Sequence, residues 1–108
     1  MPRADRLPPS GTTRARTPAI DALAADGVVF ERAYSHSPQT LPAHASMLTG
    51  RLPFEHGVRD NVGYALGEDE RTLAELLRNR GFSTGAAVSS YVLRRETGIA
   101  QGFTAYDA

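Results

Sequence analysis

The sequence predicts an α/β fold, in which helical and strand-like segments alternate along 108 residues. Two segments place apolar residues at helical spacing, begin at capping residues and end at glycine. Short apolar runs, typical of strands that are covered on both faces, stand beside these helical segments. The composition is that of one globular domain, because 41% of the residues are hydrophobic and 22% are charged.

The first helix is predicted to begin at Thr17-Pro18 and to end at Gly27. Threonine is a capping residue, proline suits the first helical turn, and glycine commonly follows the last turn. The apolar stripe of this helix consists of Ile20, Leu23 and Ala24. Residues 1–16 are expected to be irregular, and the apolar run that follows the helix predicts a strand over residues 28–34.

The middle of the chain is predicted to hold a short helix between two loops. Residues 35–40 form a polar loop, and the helix extends from Pro42 to Thr49. Gly50 ends this helix. The next loop extends from Arg51 to Gly67, because proline and glycine interrupt this stretch repeatedly.

A third helix is predicted from a capping box, in which Thr72 caps the helix and Glu75 reaches back to it. Gly81 is predicted to end this helix. Its buried stripe is predicted to consist of Leu73, Leu76 and Leu77. A strand is expected within residues 84–92, where small apolar residues follow one another.

Charge and composition exclude several classes of function. Twelve basic residues balance twelve acidic ones, whereas a nucleic-acid-binding arm or a polybasic membrane patch leaves an excess of positive charge. We therefore expect no nucleic-acid partner. The absence of cysteine excludes disulfides, thiolate zinc sites and cysteine nucleophiles. No apolar run approaches the roughly 20 residues of a membrane-spanning helix.

Thr40 is the first candidate for chemistry, because it stands just before the predicted helix that contains Pro42. A hydroxyl there faces unpaired backbone N–H groups and the positive end of the helix dipole. That environment favours an anion, such as an alkoxide or a group resembling phosphate or sulfate. The pattern predicts phosphoryl or sulfuryl transfer, with donors nearby in His36, His44, Arg51, His56 and Arg59.

Each candidate also has a purely structural interpretation. Thr40 is equally placed to be an ordinary helix cap. His44 is placed to pack or to bond a carbonyl, and Arg51 follows a helix-ending glycine, where a cation meets the negative end of the dipole. His56 precedes a glycine and fits a simple turn. Asn61 stands in a glycine-rich loop, where asparagine commonly forms an Asx turn.

One segment has a family resemblance, and shorter segments in the same order support it. Residues 40–51, which read TLPAHASMLTGR, resemble the signature of the sulfatase family, a part of the alkaline phosphatase superfamily. The supporting segments are Thr17–Ala24, Gly27–Phe30, Ala33–Ser35, His56–Val58, Thr72–Leu77 and Gly81–Thr84. The resemblance extends from about Arg3 to Asp107 and implies the N-terminal portion of an alkaline-phosphatase-like sandwich. In that fold, helices flank a central, mostly parallel sheet.

The resemblance implies a metal-dependent hydrolase whose substrate is a small-molecule sulfate or phosphate ester. It makes Thr40 the nucleophile and a metal contact, and it makes His44 a second catalytic residue. Asn61 and Arg51 are expected to bind substrate. The implied metal is calcium or magnesium if the protein is sulfatase-like, and zinc or manganese if it is phosphatase-like.

Two positions of the signature differ from typical sulfatases, which carry Cys or Ser where Thr40 stands and Arg where His44 stands. Formylglycine forms from Cys or Ser but not from Thr. Thr40 resembles instead a bacterial sulfatase-like branch that reads Thr-Leu-Pro-Ser-His, and Thr is the nucleophile of related phosphodiesterases and phosphoethanolamine transferases. The Gly-Lys-x-His segment of the family would fall near Ser89 and Tyr91 and is not retained. Phosphate and phosphonate esters are therefore as plausible as sulfate esters.

The metal ligands of the family are expected to lie mostly outside this sequence. The acidic pair would precede Met1, the remaining ligands would follow Ala108, and Asp5 is expected to be a surface or loop residue. Residues 1–108 are accordingly expected to be an N-terminal piece of a sulfatase-like catalytic domain and to be inactive alone. The alternative is a non-catalytic α/β remnant, an interaction segment or an anion-binding segment.

Overall fold

A computed structural model describes residues 16–108 of the protein. The expectations for residues 1–15, including the one for Asp5, lie outside this part. Residues up to Tyr34 form one compact unit and residues 35–108 form another, and each is described by itself. No helix of the described part is long and apolar enough to cross a membrane.

In the first unit, helix α1 extends over Pro18–Asp26 and is followed by Gly27, as predicted. Thr17 does not cap α1, because its hydroxyl donates to Asp21 Oδ1 at 3.1 Å instead. No residue of α1 is buried, so the predicted stripe is not a core face. The predicted strand over residues 28–34 is wrong: this stretch joins no β-ladder among the described residues, and a strand needs such pairing.

The second unit contains most of the regular structure. Its elements in chain order are helix α2 (Thr40–Thr49), helix α3 (Pro53–His56), helix α4 (Leu73–Asn79), strand β1 (Gly85–Ala87), two single 3₁₀ turns (Tyr91–Leu93 and Arg95–Thr97) and strand β2 (Ala105–Asp107). α3 lies inside the stretch that was predicted to be loop. It forms because Pro53 suits a first helical position and the Glu55 carboxylate accepts the Leu52 N–H at 2.8 Å.

β1 and β2 pair in parallel, with Ala86 opposite Tyr106, and this confirms the predicted α/β class. β1 is shorter than the predicted run, because the chain leaves the ladder after Ala87 and turns at Tyr91–Leu93. β2 was not predicted. The core lies between this sheet and α2, and its buried apolar residues are Leu41, Ala45, Val58, Leu66, Leu93, Ile99 and Tyr106.

The capping box of α4 is confirmed, because Thr72 Oγ1 accepts the Glu75 N–H at 3.2 Å and Glu75 Oε2 accepts the Thr72 N–H at 2.8 Å. Its predicted buried stripe is wrong, since the three leucines at 73, 76 and 77 are exposed and Ala74 is buried. The backbone at Gly102 approaches α4 so closely that a Cβ there would lie 2.3 Å from the Glu75 nitrogen. A small residue therefore faces the fold at that contact.

Candidate functional site

The first turn of α2 places Thr40. Gln39 is the cap residue in extended conformation, with φ −91° and ψ 147°, and its side chain makes no capping bond. Thr40 is thus the first helical residue, and α2 begins two residues before the predicted start at Pro42. Gly50, at φ 69°, ends α2 as predicted and donates its N–H to the Ser46 carbonyl at 2.9 Å.

The backbone donors at the start of α2 are almost all committed. The Leu41 N–H donates to Asn61 Oδ1 at 2.8 Å, and the Ala43 N–H donates to the Gln39 carbonyl at 3.2 Å. Pro42 has no N–H to offer. Within residues 16–108, neither the backbone N–H nor the hydroxyl of half-buried Thr40 has a hydrogen-bond partner. The positive end of the α2 dipole therefore presents one residue with two donors.

Asn61 reaches this site from the loop that follows α3. A backbone N–H can only donate, so the atom of Asn61 that meets Leu41 must be the amide oxygen. Its NH₂ group is then the donor that remains. The loop itself is held locally, since the Asn61 N–H donates to Asp60 Oδ1 at 2.6 Å. The expected role of Asn61 as a substrate-binding donor stays a prediction, and capping of α2 is a second role that the sequence did not indicate.

His44 lies one helical turn after Thr40. Its Nδ1 lies 2.7 Å from the Thr40 carbonyl oxygen, which can only accept, so Nδ1 carries a hydrogen. Nε2 is then the ring nitrogen left for chemistry: it accepts a proton when the ring is neutral and donates one when the ring is charged. His44 also lines an apolar cavity of about 240 Å³ beneath α2, together with Met47, Ala86 and Phe103 among others.

Arg51 makes an ion pair just beyond the C-terminal end of α2. Its Nη1 donates to both carboxylate oxygens of Glu70, at 2.8 and 2.9 Å. The Glu70 side chain is only 8% exposed, whereas that of Arg51 is 48% exposed. The pair joins the end of α2 to the segment before α4. The expected role of Arg51 in substrate binding stays a prediction, and its observed partner is a buried carboxylate.

A buried polar pair in the second half of α2 was missed by sequence reasoning. Ser46 Oγ lies 3.0 Å from His56 Nε2, and both side chains are buried. The signal was available: Ser46 lies four residues after Pro42 and one after Ala45, on the face of α2 that is buried. A polar side chain on a buried face requires a partner.

The hydrogen bonds of His56 determine its tautomer. The Val58 N–H points at Nδ1 from 3.1 Å, so Nδ1 is unprotonated in the neutral ring and Nε2 carries the hydrogen. Nε2–H therefore donates to Ser46 Oγ. Burial lowers the pKa of His56 below its ordinary value of 6.5; Glu70 and Glu55 oppose this shift and Arg51 supports it. The ring is thus held neutral, as a donor toward Ser46.

The remaining basic candidates do not join these groups. His36 is exposed in the loop before α2, and Arg59 is exposed between Val58 and Asn61. No group of three or more His, Asp or Glu side chains able to hold a metal ion occurs in the described part of the chain. The donors around Thr40 are an amide and an imidazole, whereas hard divalent ions prefer carboxylates. These residues alone do not fit a divalent metal site.

Comparison with known sequences identifies relatives. The sulfatase family model matches residues 3–107. The chain is 37% identical, over 82 residues, to an N-acetylgalactosamine-6-O-sulfatase of Bacteroides thetaiotaomicron. That alignment covers 69% of this chain and 16% of the relative. The chain therefore corresponds to a small part of the relative's length.

Comparison with solved structures supports the same relationship. The phosphonate monoester hydrolase of Agrobacterium radiobacter superposes with a TM-score of 0.74 at 29% identity, over 95% of this chain and 23% of that one. A protein solved in complex with its substrate D-glucosamine-2-N,6-O-disulfate superposes with a TM-score of 0.76 at 27% identity. This second match covers 95% of this chain and 20% of the other.

Proposed function

The chain belongs to the sulfatase family, and we propose that it supplies the nucleophile Thr40 to a hydrolase of sulfate or phosphate esters. Because the chain spans 16% of the length of its relative, we propose that it forms part of the catalytic domain and not the whole of it. The observation that carries the proposal is the start of α2. There Thr40 combines an uncommitted hydroxyl with an uncommitted backbone N–H in the described part of the chain.

In the proposed reaction, Thr40 Oγ1 forms a bond to sulfur or phosphorus, and the bond from that atom to the leaving oxygen breaks. The leaving oxygen gains a proton, and water later cleaves the threonine ester to restore the hydroxyl. His44 Nε2 is suited to carry the proton, since Nδ1–H is engaged with the Thr40 carbonyl. This bond also orients the ring relative to the turn that holds the nucleophile.

Negative charge on the non-bridging oxygens of the ester needs donors in fixed positions. The Thr40 N–H and the Asn61 NH₂ are the candidates, because the Asn61 oxygen is held by the Leu41 N–H. Arg51 is a further candidate. Its Nη1 is engaged with Glu70, so a substrate contact would use its other guanidinium nitrogens.

Members of the sulfatase family are metal-dependent in general. A bound divalent ion would polarise the ester and favour ionisation of the attacking hydroxyl. We propose Thr40 Oγ1 as the one ligand from the described residues, which do not complete such a site. We propose calcium or magnesium for a sulfatase-like site and zinc or manganese for a phosphatase-like site.

The ester class has support on both sides. A relative that is named a sulfatase and a neighbour bound to a sulfated sugar favour a sulfate ester. The match to a phosphonate monoester hydrolase favours a phosphorus ester. Threonine at position 40 gives no formylglycine and is compatible with direct attack on either centre. We therefore propose a small-molecule sulfate, phosphate or phosphonate monoester.

The experiment is a comparison of Thr40→Ala with the wild-type sequence in an active form of the protein that contains these residues. 4-Nitrophenyl sulfate, phosphate and phenylphosphonate are supplied with each of the four metals. We expect turnover of at least one ester, and a transient adduct on Thr40 detectable by intact mass. Turnover that persists in Thr40→Ala would refute the nucleophile.

A non-catalytic anion-binding role is the second candidate, and the Thr40 N–H at the start of α2 is the observation that favours it. It predicts that sulfate or orthovanadate perturbs the Thr40 amide signal in the chain while no ester is hydrolysed. Binding of the anion together with metal-dependent turnover favours the enzyme instead.

A further inference from the structure

Residues 56–61, which we call the strap, are fastened to α2 at both ends. At one end the His56 ring bonds Ser46 in the second half of the helix, at 3.0 Å. At the other end Asn61 bonds the Leu41 N–H in the first turn, at 2.8 Å. Between them Val58 is fully buried in the core cluster. The strap therefore lies along the helix that carries Thr40.

The backbone of the strap is shaped for this contact. Gly57 has φ 80°, a left-handed conformation that favours glycine, and the resulting turn brings the Val58 N–H back to His56 Nδ1 at 3.1 Å. A single ring thus joins two elements: Nε2–H donates to Ser46 of α2, and Nδ1 accepts from the strap backbone.

The same hydrogen bonds exclude a serine–histidine catalytic dyad. In such a dyad, Nε2 of the histidine is unprotonated and takes the hydroxyl proton. Here Nδ1 is the acceptor of a backbone N–H, so the neutral ring has its hydrogen on Nε2. His56 is a donor toward Ser46 and cannot act as its base in this arrangement.

We propose that His56 is a positioning residue: its neutral, Nε2-protonated ring sets the strap along α2 and thereby maintains the bond between Asn61 and Leu41 beside Thr40. The inference deepens the proposed function and rests on it only for the role of Thr40. The coupling between His56 and Leu41 is a property of the chain and is measurable without substrate.

Protonation of His56 is the natural perturbation of this device. A second ring hydrogen on Nδ1 would face the Val58 N–H, so two donors would oppose each other and that bond would be lost. Burial and the Arg51 cation disfavour the charged ring, whereas the Glu70 and Glu55 carboxylates favour it. We expect the strap to loosen at acidic pH, and the loosening to reach Asn61.

The test is NMR of the 108-residue chain, with the His56 ring and the Leu41 amide followed across acidic to neutral pH. In the wild-type chain we expect the Leu41 protection factor against hydrogen exchange to fall about tenfold as His56 becomes protonated, with one common midpoint. In His56→Gln, which has no acceptor placed for the Val58 N–H, we expect low Leu41 protection at every pH.

Rescue and control variants separate positioning from general loss of structure. His56→Asn restores an acceptor near the position of Nδ1 and cannot titrate, so Leu41 protection should return and be independent of pH. His36→Gln removes an exposed imidazole and should leave the wild-type profile unchanged.

Three results would overturn the inference. They are Leu41 protection that is unaffected while His56 titrates, a His56 ring with its hydrogen on Nδ1, and a His56 ring that titrates as in an unstructured peptide. Loss of the proposed function would have a different signature: the coupling would be present, but Thr40→Ala would keep full turnover.

Discussion

The Asn61 amide oxygen accepts the backbone N–H of Leu41, 20 positions earlier in the chain, at 2.8 Å. Helix caps usually come from the residue that precedes the helix, but the Gln39 side chain makes no such bond. The cap of α2 is therefore supplied from a distant loop. This arrangement ties the position of Thr40 to the conformation of that loop.

Asn61→Ala should lower the free energy of unfolding by about 1–2 kcal/mol, because Leu41 is fully buried and its N–H would lose its partner. Asn61→Asp keeps an oxygen in place and should lose much less. Urea unfolding of both variants checks this, with Arg59→Ala as the matched control for an exposed side chain of the same loop. Equal stability of the alanine and wild-type chains would mean that water replaces the cap without cost.

Arg51→Ala should destabilise the chain more than a typical surface substitution does. The substitution leaves the Glu70 carboxylate nearly buried without its cation, at a cost of about 1–3 kcal/mol that the partial exposure of Arg51 reduces. Arg51→Ala combined with Glu70→Gln should recover part of the loss, which urea unfolding measures. A role of Arg51 in substrate binding alone predicts unchanged stability and a raised KM.

Local patterns predicted the helices well. The capping box at Thr72 and the glycine after α2 act through neighbouring residues, so their signals lie within a few positions of the elements that they fix. The start of α2 was placed two residues late, because its cap comes from Asn61 and leaves no local mark.

Features that depend on distant partners were missed or misassigned. Residues 28–34 have the composition of a strand, but they join no ladder in the described part of the chain. β2 becomes a strand only because β1 pairs with it in parallel. The leucines of α4 repeat at helical spacing, yet the close approach of Gly102 selects Ala74 for the buried position. The site showed the same limit, since the bond between Ser46 and His56 joins two segments that seemed independent.

The stability of the chain should depend on pH through His56. Its pKa in the folded chain is lowered below 6.5, mainly by burial, so the unfolded chain binds more protons in this range. Stability is fully present above the unfolded pKa of 6.5 and falls as the pH drops through 6.5 toward the lower folded value. Urea unfolding at several pH values, from about 5 to 8, measures this change. His56→Asn should lose this part of the dependence, and an unchanged slope would assign it to other groups.

The 108-residue chain alone should not hydrolyse 4-nitrophenyl sulfate or phosphate in the presence of calcium, magnesium, zinc or manganese. No cluster of metal-binding side chains occurs among residues 16–108, and without a metal or another activating group a threonine hydroxyl stays protonated and is a weak nucleophile. Release of 4-nitrophenolate, followed by absorbance, checks this. Metal-dependent turnover that disappears in Thr40→Ala would show that the residues of this chain suffice.

Thr40→Ala separates a nucleophile from a helix residue, because the two roles predict opposite patterns of stability and rate. The Thr40 hydroxyl makes no capping bond in the described structure, so its removal should change the free energy of unfolding by only about 0.5 kcal/mol. Removal of a covalent nucleophile should reduce turnover by about 10³-fold or more, since the two-step route is lost.

The remaining variants of this series identify the atom that acts. In an active form of the protein that contains these residues, Thr40→Ser should keep part of the turnover, because a hydroxyl remains at the first position of α2. His44→Ala should slow turnover less than Thr40→Ala, since the imidazole is proposed to assist the leaving oxygen and forms no bond to the reacting centre. Melting temperature and turnover are measured together on all three variants. A Thr40→Ala protein that melts earlier but turns over at the wild-type rate per folded molecule would reduce Thr40 to a structural residue of α2.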